Sequence, residues 1–220
     1  MIKDLGALVR KEWLCFRGSD RGVFILYLIL LLSWSFLIAN GTDSPVNTGA
    51  LWFIFFSVVI TANFSNTVFI SERVSGSLEI LITSGFSRGG ILFGKMIFVL
   101  LMSLAIGAAC IGLGALWHSL IPEFYNRASG LGDFLVFATS SFMNIACSAF
   151  LSVRMSNPRL LHFANLFLLG LIIGAHSVLT QYFFLPDFVL PVILIFTGSI
   201  FTWLAYREFQ GEKILQPVIF

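Results

Sequence analysis

The sequence predicts an all-α, polytopic membrane protein with six transmembrane helices, and three observations support this fold class. Of the 220 residues, 58% are hydrophobic and 11% are charged, whereas soluble domains contain about 25% charged residues. Six apolar runs occur along the chain, each close to the roughly 20 residues that cross the hydrocarbon core as a helix. When the connections between the runs alternate across a membrane, twelve of the thirteen Lys and Arg residues fall on one side.

The six runs define the predicted spans. We place them at Val23–Ala39, Ala50–Ile70, Ile91–Leu116, Phe134–Val153, Leu160–Thr180 and Phe188–Tyr206. A closed β-barrel would need strands that alternate inward and outward over about ten residues, and these continuous runs do not alternate. Buried helices of a large soluble protein would need polar outer faces, which the runs lack. The first run is longer than a usual signal-peptide core, so we expect it to remain uncleaved.

The basic residues set the predicted orientation. Lys and Arg residues beside short loops are retained in the cytoplasm, and Arg127 alone lies opposite to the others. The opposite side carries the acidic residues Asp43, Glu123, Asp133 and Asp187. We therefore expect a multi-pass protein of the plasma (bacterial inner) membrane with both termini in the cytoplasm. The three cysteines show no pairing or metal spacing, so a disulfide framework is not expected.

The N-terminal segment Met1–Arg21 has the pattern of an amphipathic helix. Its apolar residues recur at helical spacing and are Leu5, Leu8, Val9, Trp13 and Phe16. Most of its basic residues lie elsewhere on the helical wheel, so we expect the helix to lie in the cytoplasmic interface of the membrane. Trp13 suits the aromatic belt at that depth. The alternative is a charged tail that only sets the orientation of the first span.

The connection Ser71–Gly90 is the longest cytoplasmic loop and has the clearest internal pattern. Gly76 permits a break, and a short apolar run then predicts a helix over approximately 77–84. Glu79 lies near the N-terminus of this helix, where the helix dipole favours an acidic side chain. The helix is too apolar for a loop in water, so we expect it to occupy a groove in this protein or in a partner.

The sequence contains no recognisable catalytic motif. The pattern Gly89-x-x-x-x-Gly94-Lys95 is similar to a phosphate-binding loop, but Met96 stands where Ser or Thr should hold magnesium. We read this stretch as a helix start, with Lys95 extending to the interface. The sequence contains no His-Glu-x-x-His motif, and His176 is the one histidine deep within a span. We therefore expect no catalytic residue, no metal site and no enzyme activity in this chain.

The loop and the start of the next span contain a recognisable set of residues, which are Glu72, Gly76, Ser77, Leu78, Glu79, Leu81, Thr83, Ser84, Ser87, Arg88, Gly94 and Lys95. With these residues the loop resembles that of the permease subunits of ABC-2 type ATP-binding-cassette exporters. Arg10-Lys11-Glu12 in an amphipathic N-terminal helix and six spans in 220 residues add to it. The chain departs from the family pattern twice, with Ser77 in place of Thr and Gly85 in place of Pro. The second change loosens the turn after the short helix.

The resemblance implies that residues 1–220 form a single ABC-2 type transmembrane domain, the permease subunit of an ABC exporter. Such permeases form homodimers or heterodimers and bind separate ABC ATPase subunits, which hold the ATP and Mg, so this chain needs no cofactor and no nucleic acid. The short helix would be the coupling helix, braced by the N-terminal helix. The implied ATPase-coupling residues are Glu72, Arg73, Gly76, Leu78, Glu79, Ile80, Leu81, Ile82 and Arg88. The implied residues of the interfacial helix are Arg10, Lys11, Glu12 and Trp13.

Polar residues within the spans are the candidates for a substrate path. They are Asn63, Asn66, Asn144, Asn165 and His176. Hydrogen bonding between helices, worth about 0.6 kcal/mol per bond, is the competing interpretation that we favour for each of them. Three other functions stay open: a haem-exporter-type permease of cytochrome c maturation within the same fold, a pore or scaffold subunit without ATP coupling, and a six-span membrane enzyme.

Overall fold

The computed structural model describes residues 2–18, 21–39, 48–70, 81–83, 85–121, 131–154, 157–182 and 188–210. Within these ranges every regular element is helical, which confirms the predicted all-α class for the described residues. The helices are α1 (Ile2–Arg17), α2 (Arg21–Ala39), α3 (Thr48–Ser65), α4 (Arg88–Leu120), α5 (Leu131–Arg154), α6 (Pro158–Tyr182) and α7 (Val189–Gln210). Helix α3 continues directly into a π-helical turn, Asn66–Ile70, and residues 81–83 are also helical.

Each predicted apolar run coincides with one of the helices α2 to α7, to within a few residues at either end. In the part of the chain that the structure describes, three helices are long and apolar enough to cross a membrane. They are Arg88–Trp117, Leu131–Arg154 and Val189–Phe209. The other apolar stretches are shorter and are Tyr27–Leu37, Phe53–Phe69 and Phe163–Ala175. The described part of the chain is therefore helical and contains three candidate membrane-spanning helices.

Helix α5 lies at the centre of the bundle and packs against α3, α4 and α7. Its Phe137 is fully buried, with its ring 5.6 Å from that of Phe56 on α3. Two glycines let neighbouring helices approach α5 closely: a Cβ at Gly107 of α4 would overlap the ring of Phe137, and one at Gly198 of α7 would come within 2.7 Å of the ring of Phe142. Small residues at such contacts are expected where van der Waals packing holds membrane helices together.

One end of the bundle gathers the start of α4 and the ends of α5 and α7. A Cβ at Gly89 of α4 would lie 2.9 Å from the ring of Tyr206 on α7. The guanidinium of Arg154, at the end of α5, lies 2.7 Å from the carboxylate of Glu208 on α7. We call this region the basic end. The basic residues on these helix ends are Arg88, Lys95, Arg154 and Arg207.

At the opposite end of the bundle, an indole joins α4 to α2. Trp117, near the end of α4, donates a hydrogen bond from Nε1 to Ser35 Oγ, near the end of α2, at 3.1 Å. The neighbouring Trp34 stacks on two rings of α3, with centroid distances of 6.0 Å to Phe55 and 5.2 Å to Phe56. The C-terminal ends of α2 and α4 therefore lie together, as the alternation of the predicted spans requires.

Candidate functional site

The segment before α4 reverses the chain at a glycine. Leu81 and Ile82 are half-buried and pack against the main hydrophobic core of this same chain. Gly85 follows them with φ of +88°, a conformation that favours glycine. Proline, whose φ is fixed near −65°, could not adopt it. Glycine at this position thus permits a left-handed turn, whereas the sequence predicted only a looser turn.

The sequence resembling a phosphate-binding loop is a capped helix start with close-packed glycines. Ser87 is the N-cap of α4, and its Oγ accepts a hydrogen bond from the backbone N–H of Gly90 at 3.1 Å. Hydroxyl side chains are preferred at this position because they satisfy a donor that the helix leaves free. Gly89 lies against Tyr206 of α7, and Gly94 lies against Leu8 of α1. These glycines allow helices to approach each other.

Lys95 does not extend to the interface as the sequence predicted. Its side chain is 1% exposed, and its Nζ donates a hydrogen bond of 2.6 Å to the backbone carbonyl of Val68 in the π-helical turn. The amine also lies 6.0 Å from the ring centroid of Phe69. A hydrogen bond from a charged donor offsets part of the cost of removing an ammonium group from water. This contact therefore helps to hold the amine inside the bundle.

Helix α1 is more firmly packed on the bundle than an interfacial helix needs to be. Leu8 is 1% exposed, and the ring of Phe16 lies 5.4 Å from that of Phe64 on α3. Trp13 is 48% exposed, while Glu12 is only 5% exposed and accepts a hydrogen bond from Lys11 Nζ at 3.2 Å. Helical spacing explains this burial, because Glu12 lies midway across the apolar face.

The structure describes part of the predicted coupling segment. Leu81 and Ile82 pack inward, and Arg88 begins α4 with a partly exposed side chain. The other predicted coupling residues are Glu72, Arg73, Gly76, Leu78, Glu79 and Ile80, and they lie outside the described residues. Of the predicted interfacial set on α1, Arg10 and Trp13 are exposed, Lys11 is half-exposed and Glu12 is buried.

The predicted path residues separate into two kinds. Asn144 and Asn165 are each 1% exposed and join helices, since Asn144 donates to Ser57 Oγ at 3.3 Å and Asn165 donates to Ser148 Oγ at 2.6 Å. Asn63 is exposed on α3 and donates to the carbonyl of Val59 in its own helix at 2.9 Å. The side chains of Asn66 and His176 lie outside the described residues.

A buried polar seam, formed by Ser57, Ser140, Asn144, Ser148 and Asn165, joins α3, α5 and α6. Its shortest contact between α3 and α5 runs from Ser140 Oγ to Ser57 Oγ at 2.7 Å. Among the described residues, Oδ1 of Asn144 and Oδ1 of Asn165 find no hydrogen-bond partner. Ser57 and Ser140 were not predicted from the sequence, although Ser140 and Asn144 are four residues apart and so share a helix face.

We expect Gly94→Val to detach α1 from the bundle. A Cβ at Gly94 already lies 3.0 Å from Leu8 Cβ, next to the backbone of α1, and the methyl groups of valine would force that helix outward. Trypsin should then cleave after Lys11 and Arg17 several-fold faster in detergent-solubilised protein. Gly170→Val is the matched control, because nothing lies within 4 Å of its Cβ. Equal cleavage rates in the two variants would contradict this account of α1.

No protein-family model and no curated protein sequence matches the chain. The class of protein is therefore defined by the helical fold and by its apolar helices. The chain is a helical protein whose described part contains three helices that are long and apolar enough to cross a membrane, which indicates a membrane protein. In the described ranges, no group of three or more His, Cys, Asp or Glu residues is placed to hold a metal ion.

Proposed function

We propose that this chain is the permease subunit of an ABC-2 type ABC exporter, driven by separate ATPase subunits. One observation carries the proposal, namely the motif that runs from Glu72 to Lys95 between α3 and α4. The proposal is also supported by the place in the bundle where the described part of this motif lies. Residues 81–83 and the capped start of α4 lie at the basic end of the bundle, where α1 packs against Gly94.

In this proposal each of the helices α2 to α7 crosses the membrane once, and the basic end faces the cytoplasm. Two observations support the orientation. Twelve of the thirteen Lys and Arg residues fall on one side when the spans alternate. The contacts of Gly89 with Tyr206 and of Arg154 with Glu208 bring the corresponding helix ends together. Retention of basic residues in the cytoplasm then gives the direction.

The coupling helix of this proposal contacts the ATPase through one face. Leu81 and Ile82 pack against the core of the permease itself, so they fasten the helix to the bundle. Thr83 is exposed, and on a helix over 77–84 Glu79 lies one turn before it on the same face. We therefore assign the ATPase contact chiefly to Glu79 and Thr83. Helix α1 braces the start of α4 beside this contact.

The exposed stripe of α3 is the proposed contact with the second permease subunit. Phe55 and Asn63 lie two turns apart on α3, Thr67 follows in the π-helical turn, and all three side chains are exposed. An exposed carboxamide is unfavourable against lipid tails, and polar groups within membrane helices usually face a partner or a water-filled cavity. We propose that Asn63 faces the dimer interface and the translocation path, whereas Asn144 and Asn165 hold the helices of one subunit together.

Purification from native membranes tests the proposal. A tagged chain, solubilised in mild detergent, should retain an ATPase subunit with phosphate-loop and ABC signature motifs, and the complex should hydrolyse ATP. A chain that purifies without an ATPase and shows no hydrolysis would instead indicate a pore or scaffold subunit.

In a cysteine-free background, a cysteine at position 79 should react with a membrane-impermeant thiol reagent from the cytoplasmic side. A cysteine at position 127 should react from the opposite side, and labelling of position 79 from outside would overturn the proposed orientation.

A further inference from the structure

A buried lysine amine joins the two helices that flank the candidate coupling loop. Lys95 lies two turns into α4, and its Nζ donates to the carbonyl of Val68 at 2.6 Å. The residues between these two positions include the whole segment 71–87. The side chain of Lys95 is 1% exposed and ranks among the largest fully buried side chains of the described chain.

Packing alone does not explain a lysine at this position. Its neighbours on α4 are buried and apolar, with Leu92 and Val99 fully buried and Met96 5% exposed. A leucine or methionine would fill the same space without the cost of removing an amine from water. The specific contribution of the lysine is therefore its donor group, which reaches a backbone carbonyl on another helix.

The acceptor lies where the end of α3 departs from regular helical geometry. Val68 belongs to the π-helical turn Asn66–Ile70, the last described turn before the loop. Single π turns often mark functional positions because their hydrogen-bond pattern differs from that of the surrounding α-helix. The ring of Phe69, 6.0 Å from the amine, adds a cation–π contact. Two successive residues of this turn are thus held by one side chain of α4.

The start of α4 is itself held from two other sides. Gly89 packs against Tyr206 of α7, and Gly94 packs against Leu8 of α1. The start of α4 therefore forms one packed unit with α1 and α7. The hydrogen bond from Lys95 extends this unit to the end of α3.

We propose that Lys95 is a positioning residue whose hydrogen bond joins the π-helical turn at the end of α3 to α4. Through this bond, movement of the coupling loop is transmitted to α3 and is not lost within the loop. The inference rests on the proposed function, since the ATPase supplies the movement. Its structural part, the fastening of the π-helical turn, concerns this chain alone and is tested separately.

Three variants separate the donor group from the volume of the side chain. Lys95→Met retains most of the length of the side chain and loses the donor, whereas Lys95→Arg retains both donor and charge. Ser103→Ala is the matched control, because Ser103 is a buried polar residue of the same helix whose Oγ donates to the carbonyl of Val99, also in α4, at 2.8 Å. Each variant is made in the full chain and reconstituted in lipid nanodiscs, with and without the ATPase.

The first measurement is hydrogen–deuterium exchange of the chain without the ATPase. Backbone amides of residues 66–70 should exchange roughly tenfold faster in Lys95→Met, since loss of one hydrogen bond to a charged group corresponds to about that factor. Ser103→Ala should leave them unchanged, and Lys95→Arg should restore most of the protection. Unchanged exchange in Lys95→Met would overturn the inference, whatever the chain binds.

The second measurement is the response to ATP in the complex, with a thiol probe at position 55 on the exposed stripe of α3. In Lys95→Met the ATPase should remain bound and hydrolyse ATP at the normal rate, while the ATP-driven change in labelling of position 55 is lost. Lys95→Arg should recover that change. A normal labelling response in Lys95→Met would also overturn the inference. If the unaltered chain binds no ATPase, the proposed function fails, and the exchange measurement still decides whether Lys95 fastens α3.

Discussion

Glu79→Lys is expected to release the ATPase subunits and to abolish ATP-driven transport. In the proposed complex Glu79 faces the ATPase from the exposed side of the coupling helix, and a lysine there places the wrong charge in a desolvated contact. Breaking a hydrogen-bonded charge pair at an interface costs about 2–5 kcal/mol, which corresponds to a loss of affinity greater than tenfold. The measurement is the amount of ATPase retained per permease after purification in mild detergent, together with the ATPase activity of the eluate.

A control is needed to show that a change of charge anywhere in the loops does not release the ATPase. Glu123→Lys is the matched control, because it makes the same substitution in a loop predicted to lie on the opposite side of the membrane, and it should retain the ATPase. Leu81→Asp should also reduce ATPase retention, but with a lower melting temperature, since Leu81 packs against the core of this chain. Normal ATPase binding and activity in both Glu79→Lys and Leu81→Asp would count against the coupling-helix assignment.

The positions of the helices could be predicted from the sequence because a bilayer constrains their length. An apolar run must continue until it leaves the hydrocarbon core, and the polar connections between the runs are short. The predicted run Phe134–Val153 therefore differs from helix α5, Leu131–Arg154, by only a few residues. The turn residues Gly85 and Ser87 were recognisable as an interruption before the next helix. Their conformations, a left-handed turn and an N-cap, required the structure.

The lateral contacts could not be predicted, because helices that are apolar on all sides give no periodic signal for a packing face. The sequence predicted that Lys95 extends to the interface. The prediction was wrong because the partner of its amine is a backbone carbonyl, which the sequence does not identify. The burial of Glu12 was missed for a related reason. Its place on the apolar face of α1 follows from helical spacing, but an acidic side chain there becomes plausible only once α1 packs on α4.

The structure also changes which part of the loop motif supports the proposed function. Gly89 and Gly94 serve helix packing, and Ser87 caps α4. Any membrane helix that starts in a crowded bundle could need these features. The part of the resemblance that bears on function is therefore the stretch from Glu72 to Glu79, where the sequence predicts a glycine break followed by an acidic residue on a short helix. Variants in that stretch are the most informative ones for function.

Gly107→Ala is expected to destabilise the bundle more than any other exchange of one glycine for alanine on α4. The added Cβ would overlap the ring of Phe137, which is fully buried and packed against Phe56. Overpacking of a well-filled core costs about 1–3 kcal/mol. The measurement is unfolding of the purified protein by heat or by denaturing detergent, followed by helical circular dichroism.

Gly112→Ala on the same helix separates this clash from the helix propensity of alanine. Nothing lies within 4 Å of a Cβ at Gly112, so this variant should be at least as stable as the unaltered protein, because alanine is favoured over glycine in a helix by about 1 kcal/mol. Phe137→Leu alone should be destabilising through the cavity that it leaves. Combined with Gly107→Ala it should cost less than the sum of the two single changes, because the smaller side chain leaves room for the new methyl group. Additive effects in that cycle, or equal stability of the two alanine variants, would show that α4 and α5 do not approach at Gly107.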